Sequence, residues 1–123
     1  MQPHTEALEI ATFRLQDCTW RTFLRANAEV DAWLQRQPGF RSRRIARRRD
    51  GTVVDMLLWD SVAHGTASAR RLMRELGDAA IHALIDPDTV SWSIAPVQHA
   101  SGGDRGGIDA DLDAGAGIER IAA

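Results

Sequence analysis

A single cysteine, Cys18, leaves this chain without any possible intrachain disulfide. The cross-linked framework of small secreted domains is therefore excluded, and a reducing compartment is expected. Long apolar runs are also missing: no stretch approaches the ~20 residues that a membrane-spanning helix needs. The first residues, Met1-Gln2-Pro3-His4-Thr5-Glu6, have neither the basic start nor the apolar run of a signal peptide, so a cytoplasmic protein with no membrane partner is expected. Net charge is small as well. Fifteen Lys and Arg residues against seventeen Asp and Glu leave a formal charge of −2, which gives no global electrostatic case for nucleic acid. The four histidines, His4, His64, His82 and His99, show no ligand spacing with one another or with Cys18, so no metal site is expected.

What is present is ordinary for a globular protein, with 44% apolar and 26% charged residues in 123. That length suits one domain with one modest core. Residues 7–15 (ALEIATFRL) read as a strand with no breaker. Asp17 and Thr19 are both good N-cap candidates, and from Trp20 to Gln35 the apolar residues Trp20, Phe23, Leu24, Val30, Trp33 and Leu34 draw one helical stripe. Pro38-Gly39 ends it. Runs at 40–49 and 52–60 flank Asp50-Gly51, a strong hairpin signal. A second helix is expected from about Val62 to Leu84, weakened or divided at Gly77. Asp86-Pro87-Asp88 reads as a turn, and Thr89 to Val97 alternates as a half-buried strand.

The order strand, helix, strand, strand, helix, strand is the ferredoxin-like split βαβ arrangement. It predicts an α+β fold with an antiparallel four-stranded sheet in the order 4-1-3-2 and both helices on one face. The other sheet face then needs cover, and a second copy is the simplest cover, so a homodimer forming an α/β barrel is expected. Residues 1–6 form an N-terminal extension and 7–97 the domain. From 98 to 123 the chain turns rich in Gly and Asp with few large apolar residues, which predicts a flexible tail.

If Asp50-Gly51 is a two-residue loop, Arg49 pairs with Thr52 and the register follows by counting outward. Ala46 then lies opposite Asp55, Arg44 opposite Leu57 and Arg48 opposite Val53, which makes Arg44 and Arg48 the diagonal neighbours of Asp55. Asp55 is the one charge within an otherwise apolar third strand and is costly to bury unpaired. Two readings stand: a structural ion pair at the rim of the sheet, or a charged group in a cavity near Trp59. Glu9 on the first strand carries the same pair of readings.

Gln37-Pro38-Gly39-Phe40, then Leu58-Trp59-Asp60-Ser61 ending the third strand, then a helix with small residues at Ala67 and Ala69, together resemble the dimeric α+β barrel superfamily, in particular the antibiotic-biosynthesis-monooxygenase-like domains. The resemblance covers about Ala7 to Val97. It implies a pocket between sheet and helices lined by Trp59, and chemistry without a cofactor on polycyclic phenols. It also implies that Val54, Met56 and Leu58 face the dimer barrel, whereas the residues alone would place that apolar row against the helices. Two departures stand out. The asparagine that active members carry on the first strand falls at Glu9 or a neighbour. The helix histidine of the haem-degrading branch has no counterpart, since His64 lies too close to Trp59 and His82 at the far end of the helix.

The candidate catalytic residues are accordingly Asp55, Trp59 and Glu9, and the candidate substrate-binding residues Trp59, Asp55, Arg44, Arg48 and Trp92. Trp59 would pack on a substrate ring, a carboxylate would act as base and an arginine would steady an anion. No cofactor is expected. The alternatives are a barrel that binds a ligand without chemistry, and a purely structural dimer. The arginines at 41, 43, 44, 47, 48 and 49 look like a nucleic-acid patch, but they sit on an edge strand, where charge discourages edge-to-edge pairing, and no aromatic residues interleave with them. Asp109, Asp111 and Asp113 have the spacing of a calcium loop without its glycine, its twelfth-position glutamate or its flanking helices.

Overall fold

The first strand, β1 (Ala7–Leu15), runs through the middle of the sheet and is followed by α1 (Trp20–Leu34). Of the two N-cap candidates, Thr19 caps the helix: its hydroxyl accepts the Thr22 N–H at 3.1 Å. Asp17 instead takes the left-handed conformation, with φ of 53°, in the turn before it. Next come β2 (Phe40–Arg47), β3 (Val53–Trp59), α2 (Val62–Glu75), α3 (Ala80–Ala83) and β4 (Ile85–Pro96). The structure, a computed structural model, describes residues 5–103. The flexible-tail expectation falls outside the described residues from 104 onward, as do the calcium-like aspartates and His4.

The sheet is antiparallel in the order β2-β3-β1-β4, which is the predicted 4-1-3-2 arrangement. On β3, burial alternates strictly: Val53, Asp55, Leu57 and Trp59 are buried, while Val54, Met56 and Leu58 are more open. The buried set faces the helices with Ala7, Glu9 and Phe13 of β1, and meets Phe23, Val30, Trp33 and Leu34 of α1 and Ile81 of α3. The apolar row Val54, Met56 and Leu58 thus points away from the helices. That is the orientation the resemblance implied, and the placement that the residues alone suggested is overturned.

One further expectation is corrected, the turn at Asp86-Pro87-Asp88. The second helix, expected to be weakened or divided at Gly77, is divided. It stops after Glu75, the chain turns at Leu76-Gly77-Asp78, and the short α3 packs against α1 and β4. The turn read at Asp86-Pro87-Asp88 lies within β4, which starts at Ile85. Its turn chemistry is real, since Asp86 Oδ1 accepts the Asp88 N–H at 3.1 Å and Asp86 O accepts the Thr89 hydroxyl at 2.7 Å. These bonds fall where the pairing of β4 with β1 slips between Thr12 and Arg14. An edge strand accommodates both a proline and a bulge.

The hairpin differs from expectation by one residue. Arg47 pairs with Val53, Ile45 with Asp55 and Arg43 with Leu57. Arg48 N–H donates to Thr52 O at 2.8 Å, and Gly51 N–H to Arg48 O at 3.0 Å, which leaves a three-residue loop of Arg49, Asp50 and Gly51. Only Gly51, at φ of 93°, takes a positive φ there, so the two-residue type I′ turn is ruled out. Asp50 Oδ1 accepts the Thr52 N–H at 2.9 Å, and that bond holds the Asp50 carboxyl below its usual range. One extra loop residue moves the side chains of β2 from Ser42 to Arg47 to the opposite face, and a register shift between Phe40 and Ser42 returns Phe40 to the side of Trp59.

Among the described residues no helix is long and apolar enough to cross a membrane, and no three His, Cys, Asp or Glu side chains group to hold a metal ion. Cys18 is half-buried beside Leu84 O, at 3.9 Å.

Candidate active site

Between the sheet and the helices lies a cavity of about 580 Å³. Such a volume suits a ligand of a few fused rings. Its walls are mostly apolar, with Phe13 from β1, Phe23 from α1, Leu72 and Met73 from α2, and Ile81 from α3. The polar groups come in two sets, one on the sheet and one on the helices.

The sheet set centres on Glu9, which is 8% exposed. Glu9 lies opposite Leu57 on one side and Ile94 on the other, so Trp59 and Trp92 are its diagonal neighbours from the two flanking strands. Both indoles reach it. Trp59 Nε1 donates to Oε1 at 2.7 Å and Trp92 Nε1 to Oε2 at 2.6 Å. Burial pushes the Glu9 carboxyl above the ordinary carboxylate range. The two indole donors pull back, and the neighbouring charge of Asp55 pushes further up. Trp59 itself is 1% exposed, fixed edge-to-face on Phe40 with centroids 5.4 Å apart, while Trp92 is 45% exposed at the cavity mouth.

Asp55 is the second sheet carboxylate. Arg43, not Arg44 or Arg48, is its partner: Nε donates to Oδ1 at 3.0 Å and NH2 to Oδ2 at 2.7 Å. Arg43 NH1 also reaches Asp31 of α1 at 2.9 Å. Burial alone would lower the Arg43 pKa, but the bonds and charge of Asp55, joined by those of Asp31, outweigh it and the net shift is upward. Arg44 and Arg48 do not line the cavity. The one-residue change in the hairpin loop is the whole reason. Other β2 arginines are engaged within the chain too, Arg41 with Glu6 and Arg47 over the Trp20 ring at 4.7 Å.

The helix set was not among the sequence candidates. Asn27, Ser68 and His82 all line the cavity. Asn27 had a readable signal: Phe23, Asn27, Val30 and Leu34 fall at helical spacing, so an amide interrupts an apolar stripe. His82 had none, because a continuous helix would have carried it to the far end, and only the break at Gly77 turns it inward.

No protein-family model matches the chain, and no curated protein sequence matches it significantly. Solved structures do match. SnoaB from Streptomyces nogalater, a cofactor-independent oxygenase, is similar with a TM-score of 0.60 and 22% identity, over 78% of this chain and 96% of that one. A putative antibiotic biosynthesis monooxygenase from Chloroflexus aurantiacus J-10-fl gives 0.59 at 16% identity, over 80% and 98%. Another, from Nitrosomonas europaea, gives 0.58 at 14%, over 83% and 98%.

The fold is that of the antibiotic-biosynthesis-monooxygenase-like domains.

At these identities the likeness is one of architecture, and the chemistry has to be argued from the cavity. In this monooxygenase-like fold the helix-facing row of β3 brings Asp55 and Trp59 to the cavity wall, and the facing row of β1 brings Glu9.

Proposed function

We propose that the chain is a small-molecule oxygenase that works without a cofactor on a flat aromatic substrate held between sheet and helices. The observation that carries this reading is Glu9: a carboxylate sunk in a mostly apolar cavity, oriented by two indole N–H groups, with its proton affinity raised by burial. A raised pKa makes a stronger base, and a fixed orientation aims it.

The chemistry that fits is oxidation of an activated methylene, as in an anthrone. Glu9 takes a proton from the ring carbon, the resulting carbanion adds to dioxygen, and the peroxide anion recovers a proton. The hydroperoxide then loses water to leave a carbonyl. A methylene and one dioxygen thus become a carbonyl and one water, with the electrons supplied by the substrate carbon. Trp59 and Trp92 form the aromatic surface against which the rings pack, and Arg43, whose donors are taken up by Asp55 and Asp31, holds the Asp55 carboxylate in place at the cavity wall. A homodimer closes the barrel through the open sheet face that carries Leu8, Ile10, Val54, Met56 and Leu58.

A second reading, a barrel that binds a ligand without chemistry, has one observation in its favour. Both Glu9 oxygens already accept a hydrogen bond, so the carboxylate orients the indoles as much as they orient it.

Oxygen uptake with anthrone and hydroquinones separates the two. Wild-type uptake that falls by about 10²–10⁴-fold in Glu9→Gln supports the oxygenase. No wild-type uptake, or equal uptake in Glu9→Gln, rejects it.

A further inference from the structure

Asn27 is 3% exposed, yet only half of its amide is used. Nδ2 donates to Phe23 O at 2.9 Å, one turn back on α1, and Oδ1 has no partner. Among the described residues one other buried side-chain polar atom is in the same position, His82 Nε2. Both residues line the one cavity, Asn27 from α1 and His82 from α3, and these two helices pack against each other.

A buried acceptor left unmatched is costly, and native proteins seldom keep one without use. Nothing in the packing requires Asn27. Its bond to Phe23 O is local and goes to a carbonyl that the helix already employs, so a leucine would fill the same stripe between Phe23 and Val30. The sheet side of the cavity differs: Glu9, Asp55 and Arg43 are all matched by protein partners. The unmatched capacity sits on the helix side, as one acceptor and one ring nitrogen able to donate or accept.

We propose that Asn27 and His82 form a second polar pole of the cavity that recognises a free phenolic hydroxyl on the substrate, on a ring remote from the carbon facing Glu9. Asn27 Oδ1 accepts the hydroxyl proton and His82 Nε2 meets the same oxygen or its neighbour. The preferred ligand is then a polycyclic phenol with polar groups at two ends rather than an unsubstituted ring system. This rests on the reading that the cavity holds a flat aromatic molecule.

A matched pair of quinones tests it: 2,6-dihydroxyanthraquinone against 9,10-anthraquinone, with binding followed by quenching of tryptophan fluorescence. Wild type is expected to bind the dihydroxy compound about tenfold more tightly, the scale of one good hydrogen bond to an otherwise orphaned group. In Asn27→Leu and in His82→Leu that ratio should fall toward one. Circular dichroism melting confirms the fold of each variant, and Asn27→Ala reads the same ratio should Asn27→Leu fail to fold. Equal affinities in wild type, a ratio that persists in both variants, or no binding of either quinone overturns the proposal. Both compounds are already oxidised, so the ratio does not depend on turnover. A ratio that responds to the variants in a protein showing no oxygen uptake upholds the subsite and rejects the oxygenase.

Discussion

Arg43 holds Asp55 with two parallel hydrogen bonds, 3.0 Å from Nε to Oδ1 and 2.7 Å from NH2 to Oδ2, on the face of the sheet that looks into the cavity. Both side chains are largely out of water, so neither charge tolerates loss of the other. Arg43→Met is expected to destabilise the protein by about 3–5 kcal/mol, because it strands the Asp55 carboxylate. Arg43→Met combined with Asp55→Leu should recover most of that loss, since a pair replaced by apolar groups leaves no buried charge. Arg44→Ala and Arg48→Ala, neither of them at the cavity, should each stay within about 0.5 kcal/mol of wild type. Urea denaturation of the four proteins reads all of this. Equal effects at Arg43 and Arg44 would contradict the three-residue loop.

That pair also marks where sequence reading stops. The alternation of β3 and the spacing on α1 are intrinsic to each segment, so element order, sheet order and the isolation of Asp55 were legible. Which arginine meets Asp55 depends on whether two or three residues form the loop, and Asp-Gly is compatible with both. Only the backbone around Gly51, with Asp50 closing on Thr52, decides it. His82 illustrates a second limit: a glycine in a helical pattern signals weakness, not the direction in which the chain leaves. Trp59 and Glu9 were legible as residues to watch, whereas their hydrogen bond joins positions 9 and 59 through a diagonal that appears only once β1 and β3 are paired.

Glu9 predicts a pH dependence with a definite sign. Its folded pKa lies above the unfolded value, so the folded protein holds that proton more tightly. Its contribution to stability is fully present below the unfolded carboxylate pKa and is lost as pH rises through the folded value. Relative to wild type, Glu9→Gln should therefore gain stability as pH climbs out of the ordinary carboxylate range, then hold a constant difference. Catalysis runs the opposite way. The rate with anthrone should rise as Glu9 deprotonates, with its inflection displaced upward from the ordinary range. Melting curves and rates across a pH series check both, and an inflection at or below the ordinary range contradicts the assignment of Glu9 as base.

Gly65 shows how tightly α2 is seated over the site. A Cβ there would stand 2.5 Å from Ile94 Cδ1 and 2.9 Å from Trp59 Cδ1. Ile94 has a flexible end, but the Trp59 ring is held by Glu9 and Phe40. Gly65→Ala gains at most about 1 kcal/mol of helix propensity against roughly 1–3 kcal/mol of overpacking, so the urea midpoint should fall. The displaced indole should also loosen its bond to Glu9, which removes one influence lowering that pKa, and the rate inflection should move further up. A variant with unchanged midpoint and unchanged profile would show that α2 yields without disturbing Trp59.

The open face of the sheet supplies the last test. Met56 is 36% exposed and sits at its centre, opposite Ile10 of β1 and Arg44 of β2. A dimer that covers this face buries Met56, and a carboxylate introduced there would have to be taken out of water for the dimer to form. Met56→Glu should therefore convert a dimer to a monomer in a native mass spectrum. The helix-side core, built from the alternate row Val53, Asp55, Leu57 and Trp59, should keep its far-ultraviolet circular dichroism. Wild type that is monomeric at micromolar concentration would reject the homodimer, and a Met56→Glu protein that remains dimeric would place the contact on another surface.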